Sequence, residues 1–218
     1  MVQSTARKSM LPVATSLLVA KAAGMVKFSF IVGSKLALFT GSSVAVPLAG
    51  LIGGAAGSVG VFLMRLCMYG MSATYWHVFA HLVPGLCASL YWTTRHAALR
   101  LWLPLACMVA FIAHPIGREA FPYALYWLIP VFLYFKRSEN LFFNSLASTF
   151  IAHAVGSVIW LYTVPMTASM WLALIPVVAV ERLMYAAGMV SVYAIGCAGA
   201  TLMSRVVAFV RTISTARA

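Results

Sequence analysis

The chain has 218 residues, of which 63% are hydrophobic and only 8% charged, with 15 Lys+Arg against 3 Asp+Glu and a mean hydropathy of +0.98. A soluble domain carries about 25% charged residues, so this composition excludes a soluble fold and places much of the surface against lipid. The net charge of +12 is scattered between apolar runs, which reads as loop charge meeting anionic headgroups and excludes nucleic-acid binding.

At about 30 residues per span and loop, the length predicts an all-α integral membrane protein. The expected form is one membrane-embedded domain over residues 1–218, a bundle of six or seven transmembrane helices. Segment one, residues 10–32, carries Lys21 and Lys27, so it either spans with its lysines snorkelling or lies at the interface. Its basic start and apolar run loosely resemble a signal peptide, but the run continues past residue 25, so it reads as an uncleaved first segment. Segment two, residues 44–64, is rich in glycine (Gly50, Gly53, Gly54, Gly57, Gly60), which lets another helix approach closely. Segment three covers residues 75–92. Segments four (99–113) and five (120–135) are short and flank His114-Pro115-Ile116-Gly117-Arg118-Glu119. They read as two thin spans or one broken pair. Segment six is 141–162, and segment seven, 170–200, is long enough to project from the membrane.

One set of loops holds Lys35, Arg95, Arg100, Lys136, Arg137, Arg205, Arg211 and Arg217. The other holds Arg65 and Arg118, with Arg7 and Lys8 if segment one spans. The imbalance predicts a cytoplasmic C-terminus and an outward-facing turn at residues 163–169. Trp76, Trp92, Trp160 and Trp171 fall near the expected interfaces. A bacterial inner membrane is the expected location.

Few residues can carry chemistry. Glu181 falls ~15 Å below Trp171 by helical rise, and an intramembrane carboxylate is a functional candidate by default. The structural alternative is a lock with Arg182 or a lysine of segment one. His153 lies mid-way along segment six in a polar stripe with Asn144, Ser148, Thr149 and Ser157, which must face protein or a cavity. Helix–helix hydrogen bonding explains that stripe without a ligand. His77 and His81 share a helix face, but two ligands do not make a metal site. The four cysteines have no metal or disulfide spacing. No metal and no cofactor are expected.

Three stretches resemble the membrane-embedded substrate-binding (S) components of energy-coupling factor transporters. Pro47-Leu48-Ala49-Gly50-Leu51-Ile52-Gly53-Gly54-Ala55-Ala56-Gly57 resembles an apolar glycine-rich helix of that family. Ser16, Ala20 and Gly24 form a ridge similar to the small-residue surface that docks on a transmembrane coupling subunit. Residues 160–189 fit its C-terminal helix pair. The family has six spans, whereas seven fits this chain slightly better, and its alanine ridge is here Ser/Ala/Gly. The resemblance implies capture of a small vitamin-like solute near the outer face, energised by a coupling subunit and two cytoplasmic ATPases. Depth and polarity nominate His153, Asn144, Trp160, Tyr162, Trp171, His114, Arg118 and Glu119 for the pocket, with Glu181 as the buried carboxylate. Two alternatives stand beside solute uptake. A structural or assembly subunit predicts no pocket, with His153 and Glu181 satisfied by neighbouring helices. An intramembrane enzyme or haem protein needs His77, His81, His114 or His153 to converge.

Overall fold

The computed structural model describes the backbone of residues 2–25, 27–28, 39–70 and 75–216, and the side chains of residues 10, 12–22, 41, 43–68, 82–199, 201, 202 and 205. Lys35 and Arg217 lie outside the described residues. Arg7, Lys8, Gly24, Lys27, Trp76, His77, His81 and Arg211 lie in described backbone, with side chains outside the description. Among the described residues helix predominates, and short loops and one two-residue antiparallel pairing of β1 (Lys27–Phe28) with β2 (Phe39–Thr40) make up the rest. Helix α1 is Val2–Met25, α2 Ser42–Gly70, α3 Tyr75–Thr93, α4 Leu103–Ala113, α5 Pro115–Glu119, α6 Phe121–Ala124, α7 Leu128–Lys136, α8 Leu141–Thr163 and α9 Ala168–Ala216.

Three described helices are long and apolar enough to cross a membrane, at Ser43–Met68, Leu141–Thr163 and Ala168–Gly199. The shorter apolar helix Ala98–Ala113 rises ~24 Å against the ~30 Å of a hydrocarbon core. It begins as a π-helical turn, Ala98–Trp102. Of segments four and five, expected as two thin spans or one broken pair, segment five is not one regular α-helix. It divides into α6, a 3-10 turn at Leu125–Trp127, and α7. Prolines punctuate this stretch: Pro115 and Pro122 lie in the first turns of α5 and α6, where the missing N–H costs nothing. Arg137 ends α7 in the left-handed region at φ 49°, and Asn140 caps α8 by accepting the backbone N–H groups of Phe142 and Phe143.

Glycine sets how α2 packs. Its neighbours on either side are α1 and α3. Gly53 and Gly57 meet Ser16 of α1, while a Cβ on Gly50 would be driven into the Ser89 carbonyl oxygen of α3. Ser16 donates to the Pro12 carbonyl at 2.8 Å, and Ser89 donates to Ser58 at 2.8 Å across α3 and α2. Helix α2 is broken at Gly54, whose φ 61°, ψ −154° belongs to a region open essentially to glycine alone. Ser58 donates back to the Gly54 carbonyl at 3.1 Å. Ser16 and Ala20 are buried against α2. The ridge that the resemblance assigns to a coupling subunit is therefore already covered within the chain at those two positions.

Gly50→Ala is expected to destabilise the protein by about 1–3 kcal/mol, the usual cost of overpacking, because backbone rather than a flexible side chain opposes the new methyl. Gly196→Ala, where nothing lies within 4 Å, is the matched control. Thermal unfolding in detergent reads both, and equal melting temperatures would contradict the close approach.

Candidate functional site

Helix α8 is the element on which the intramembrane polar groups are organised. It packs against α3, α4, α7 and α9, and Ser145, Ser148, Thr149, His153 and Ser157 are all buried. The stripe faces protein. At its N-terminal end, Asn144 Nδ2 donates to the carbonyls of Ser138 (2.9 Å) and Asn140 (3.0 Å), and its Oδ1 accepts from Tyr91 Oη at 2.9 Å. One turn on, Ser148 donates to the Ala88 carbonyl at 2.8 Å, tying α8 to α3. Thr149 returns its hydroxyl to the Leu146 carbonyl at 2.8 Å.

His153 is held on both ring nitrogens. Trp127 Nε1–H, which can only donate, points at Nδ1 from 3.1 Å. That nitrogen must present its lone pair, so the ring is the neutral tautomer with its proton on Nε2. Nε2 lies 2.7 Å from Tyr123 Oη and donates to it. The Tyr123 hydroxyl hydrogen is then left for Ser157 Oγ at 3.3 Å. The result is a one-way chain, Trp127 to His153 to Tyr123 to Ser157. Aromatic rings enclose it. Phe111, Trp127, Trp171 and Tyr123 are each 3% exposed or less, so no water competes. Phe111 meets Trp127 and Trp171 edge to face, each at 5.3 Å, and stacks on Tyr123 at 5.6 Å.

Glu181 and Arg182 form the second polar group. Arg182 Nη2 lies 2.7 Å from Glu181 Oε2 with both side chains largely covered. Tyr185 donates to Glu181 Oε1 at 3.2 Å, and Arg182 also lies 4.8 Å from the centre of the Tyr185 ring. Arg182 Nη1 reaches across to the Thr149 carbonyl at 3.4 Å. This places the ion pair one helical turn of α8 from His153.

The remaining nominated residues gather at the far end of α8. His114 meets Tyr162 edge to face at 5.0 Å, and Tyr162 donates to the Ala110 carbonyl at 2.8 Å. Trp160, Tyr162, Arg118 and Glu119 are exposed. Trp171 does not join them as an open stacking surface, because Phe111 and Tyr123 cover its ring, the latter at 5.0 Å. Its Nε1–H and His114 Nδ1 are buried without a hydrogen-bond partner. The nominees thus separate into a buried group around His153 and Glu181, a group around His114 at the far end of α8, and Asn144 nine residues, ~13 Å, from His153.

Elsewhere, a cavity of about 10 Å³ between α2 and α3 is lined by Ser58, Ser89 and Arg65 among others. That is the room of one water. Among the described residues, no three His, Cys, Asp or Glu side chains gather to hold a metal. The sequence reading missed Tyr123 and Trp127. Their signal was present: an i, i+4 aromatic pair with polar tips inside an apolar run, each tip requiring a partner when buried.

Arg182→Met is expected to destabilise by about 3–5 kcal/mol, because it strands a covered carboxylate. Adding Glu181→Gln should recover most of that loss. Chemical denaturation in mixed micelles checks the cycle, and additive losses would contradict the coupling.

No protein-family model, curated protein or solved structure matches this chain.

Proposed function

We propose that the chain is a multi-pass subunit of a bacterial inner membrane, with its C-terminus cytoplasmic, whose role is to assemble with other membrane proteins. Six or seven passes are counted if α1, α3 and the thin α4–α7 region complete those of α2, α8 and α9. One observation carries the reading: both nitrogens of His153 are engaged by Trp127 and Tyr123, so the deepest candidate ligand group is already satisfied inside the bundle. The Glu181 carboxylate is engaged likewise, by Arg182 and Tyr185. A solute competing for these groups would have to break bonds whose loss costs about 1–3 kcal/mol for each polar group left unpaired.

Solute uptake is the second reading, and a separate observation favours it. Trp171 Nε1–H and His114 Nδ1 are buried and unpartnered, and His114 meets the exposed Tyr162. A vitamin-like compound bound there would supply the missing partners, and the likeness to transporter S components implies import driven by a coupling subunit and cytoplasmic ATPases. With Ser16 and Ala20 packed on α2, such a subunit would dock on another surface.

Native electrophoresis of membranes from cells lacking the chain decides the first reading. One large membrane complex should disappear or shrink and return with the wild-type chain and with His114→Ala. An unchanged set of complexes would overturn it. Denaturing extraction and mass spectrometry of the purified protein decides the second. A near-stoichiometric small compound, lost in Trp171→Phe, would establish solute binding, and a ligand-free preparation would remove it.

A further inference from the structure

Helix α7 buries one face and bares the other. Pro130 and Leu133 are buried, whereas Leu128, Phe132, Phe135 and Lys136 are exposed, Phe132 at 64% and Phe135 at 68%. The exposed four stand at i, i+4, i+7 and i+8, which makes one stripe along the helix. From Leu128 to Lys136 the stripe rises ~12 Å, most of the ~15 Å depth of one leaflet. It is apolar until it meets Lys136. Arg137, also exposed, follows in the left-handed turn that closes α7. The Lys136 ammonium lies 5.7 Å from the centre of the exposed Phe143 ring, so the cation sits against aromatic surface.

Among the described residues, no carboxylate pairs with Lys136 or Arg137. The chain has three acids in all. Glu139, the nearest in sequence, turns to Arg95 at 3.5 Å, and Glu181 is held by Arg182. Glu119 belongs to α5. Arg100, which shares this end of the bundle, is spent internally. It donates to the carbonyls of Tyr91 (2.7 Å) and Thr94 (3.0 Å) and covers the Tyr91 ring at 4.0 Å. With Glu139 turned to Arg95, the charge offered at the end of the stripe is that of Lys136 and Arg137.

We propose that this face of α7 binds one anionic phospholipid, its phosphate against Lys136 and Arg137 and an acyl chain along Phe135, Phe132 and Leu128. A general attraction of basic loops for headgroups would treat every exposed cation alike. The apolar stripe singles out these two, because it offers one molecule an acyl contact and a phosphate contact on the same helix face. A zwitterionic lipid fits the stripe but brings no net charge to the cations. The site goes beyond the assembly reading, which concerns other proteins, and the purified chain tests it alone.

The full chain, stripped of lipid in a neutral detergent, is titrated with phosphatidylglycerol or phosphatidylcholine of the same acyl chains. Native mass spectrometry reads the bound lipid. Each cation near an anionic headgroup contributes about fivefold, so phosphatidylglycerol should bind first and at least about tenfold more tightly. Lys136→Gln with Arg137→Gln should abolish most of that preference, and Lys136→Arg with Arg137→Lys should keep it. Arg118→Gln with Arg205→Gln removes the same net charge elsewhere and should also keep it. Thermal unfolding without lipid should be the same for all, since these side chains are exposed. Equal binding of the two lipids would overturn the site. So would an equal loss in both Gln pairs, which would reduce the effect to net charge. Displacement of the lipid by inorganic phosphate would overturn it as well, leaving a free-anion site with no role for the stripe.

Discussion

A polar group inside hydrocarbon has no water to fall back on, and the rest of this structure follows from how the chain meets that constraint at His153. An imidazole there needs a partner for each nitrogen. Trp127 supplies the donor and Tyr123 the acceptor, both from the stretch between α4 and α8. That stretch must therefore come close to α8. Tyr123 and Trp127, four residues apart, lie on one face of that stretch and reach the same ring from successive turns. The enclosed rings then make the site dry, which strengthens each hydrogen bond within it.

The same constraint acts along the other contacts of α8. Ser148 fastens α3, Asn144 fastens Tyr91, and Arg182 reaches the Thr149 carbonyl from α9. Helix α8 thus joins its neighbours by polar bonds. Helix α2 joins α1 and α3 chiefly through glycines that bring backbones together, with the Ser89–Ser58 hydrogen bond added on the α3 side. The two modes are complementary in lipid, where apolar burial between helices offers little driving force. Dispersion and hydrogen bonding must then hold the bundle.

Much of this was legible in the sequence, and the failures have physical causes. The scarcity of charge announced a membrane helix protein. The glycine spacing of segment two announced close approach, realised at Gly50, Gly53 and Gly57. The polar stripe on segment six announced a face turned to protein or a cavity, and its side chains are buried against neighbouring helices. Arg182 as the partner of Glu181 was one of two alternatives that adjacency alone left open. The break at Gly54 was not legible, since a helix-compatible glycine and a helix-breaking one look the same in a Gly-rich run. Nor was the burial of Trp171. A tryptophan near a span's end reads as an interfacial ring, and only the neighbouring Phe111 and Tyr123, distant in sequence, make it part of a core. The ridge of Ser16 and Ala20 was legible as a packing surface, but composition does not say whether the partner is another protein or α2.

Solid-state ¹⁵N NMR of histidine-labelled protein in bilayers reports directly which ring nitrogen of His153 carries the proton. The Trp127–His153–Tyr123 chain requires a neutral ring with its proton on Nε2 and a bare Nδ1, with Nδ1 changing its signal in Trp127→Phe. A proton on Nδ1, or a doubly protonated ring at neutral pH, would mean that Trp127 does not face it. The central polar chain, and the reading that His153 is satisfied inside the bundle, would then be wrong.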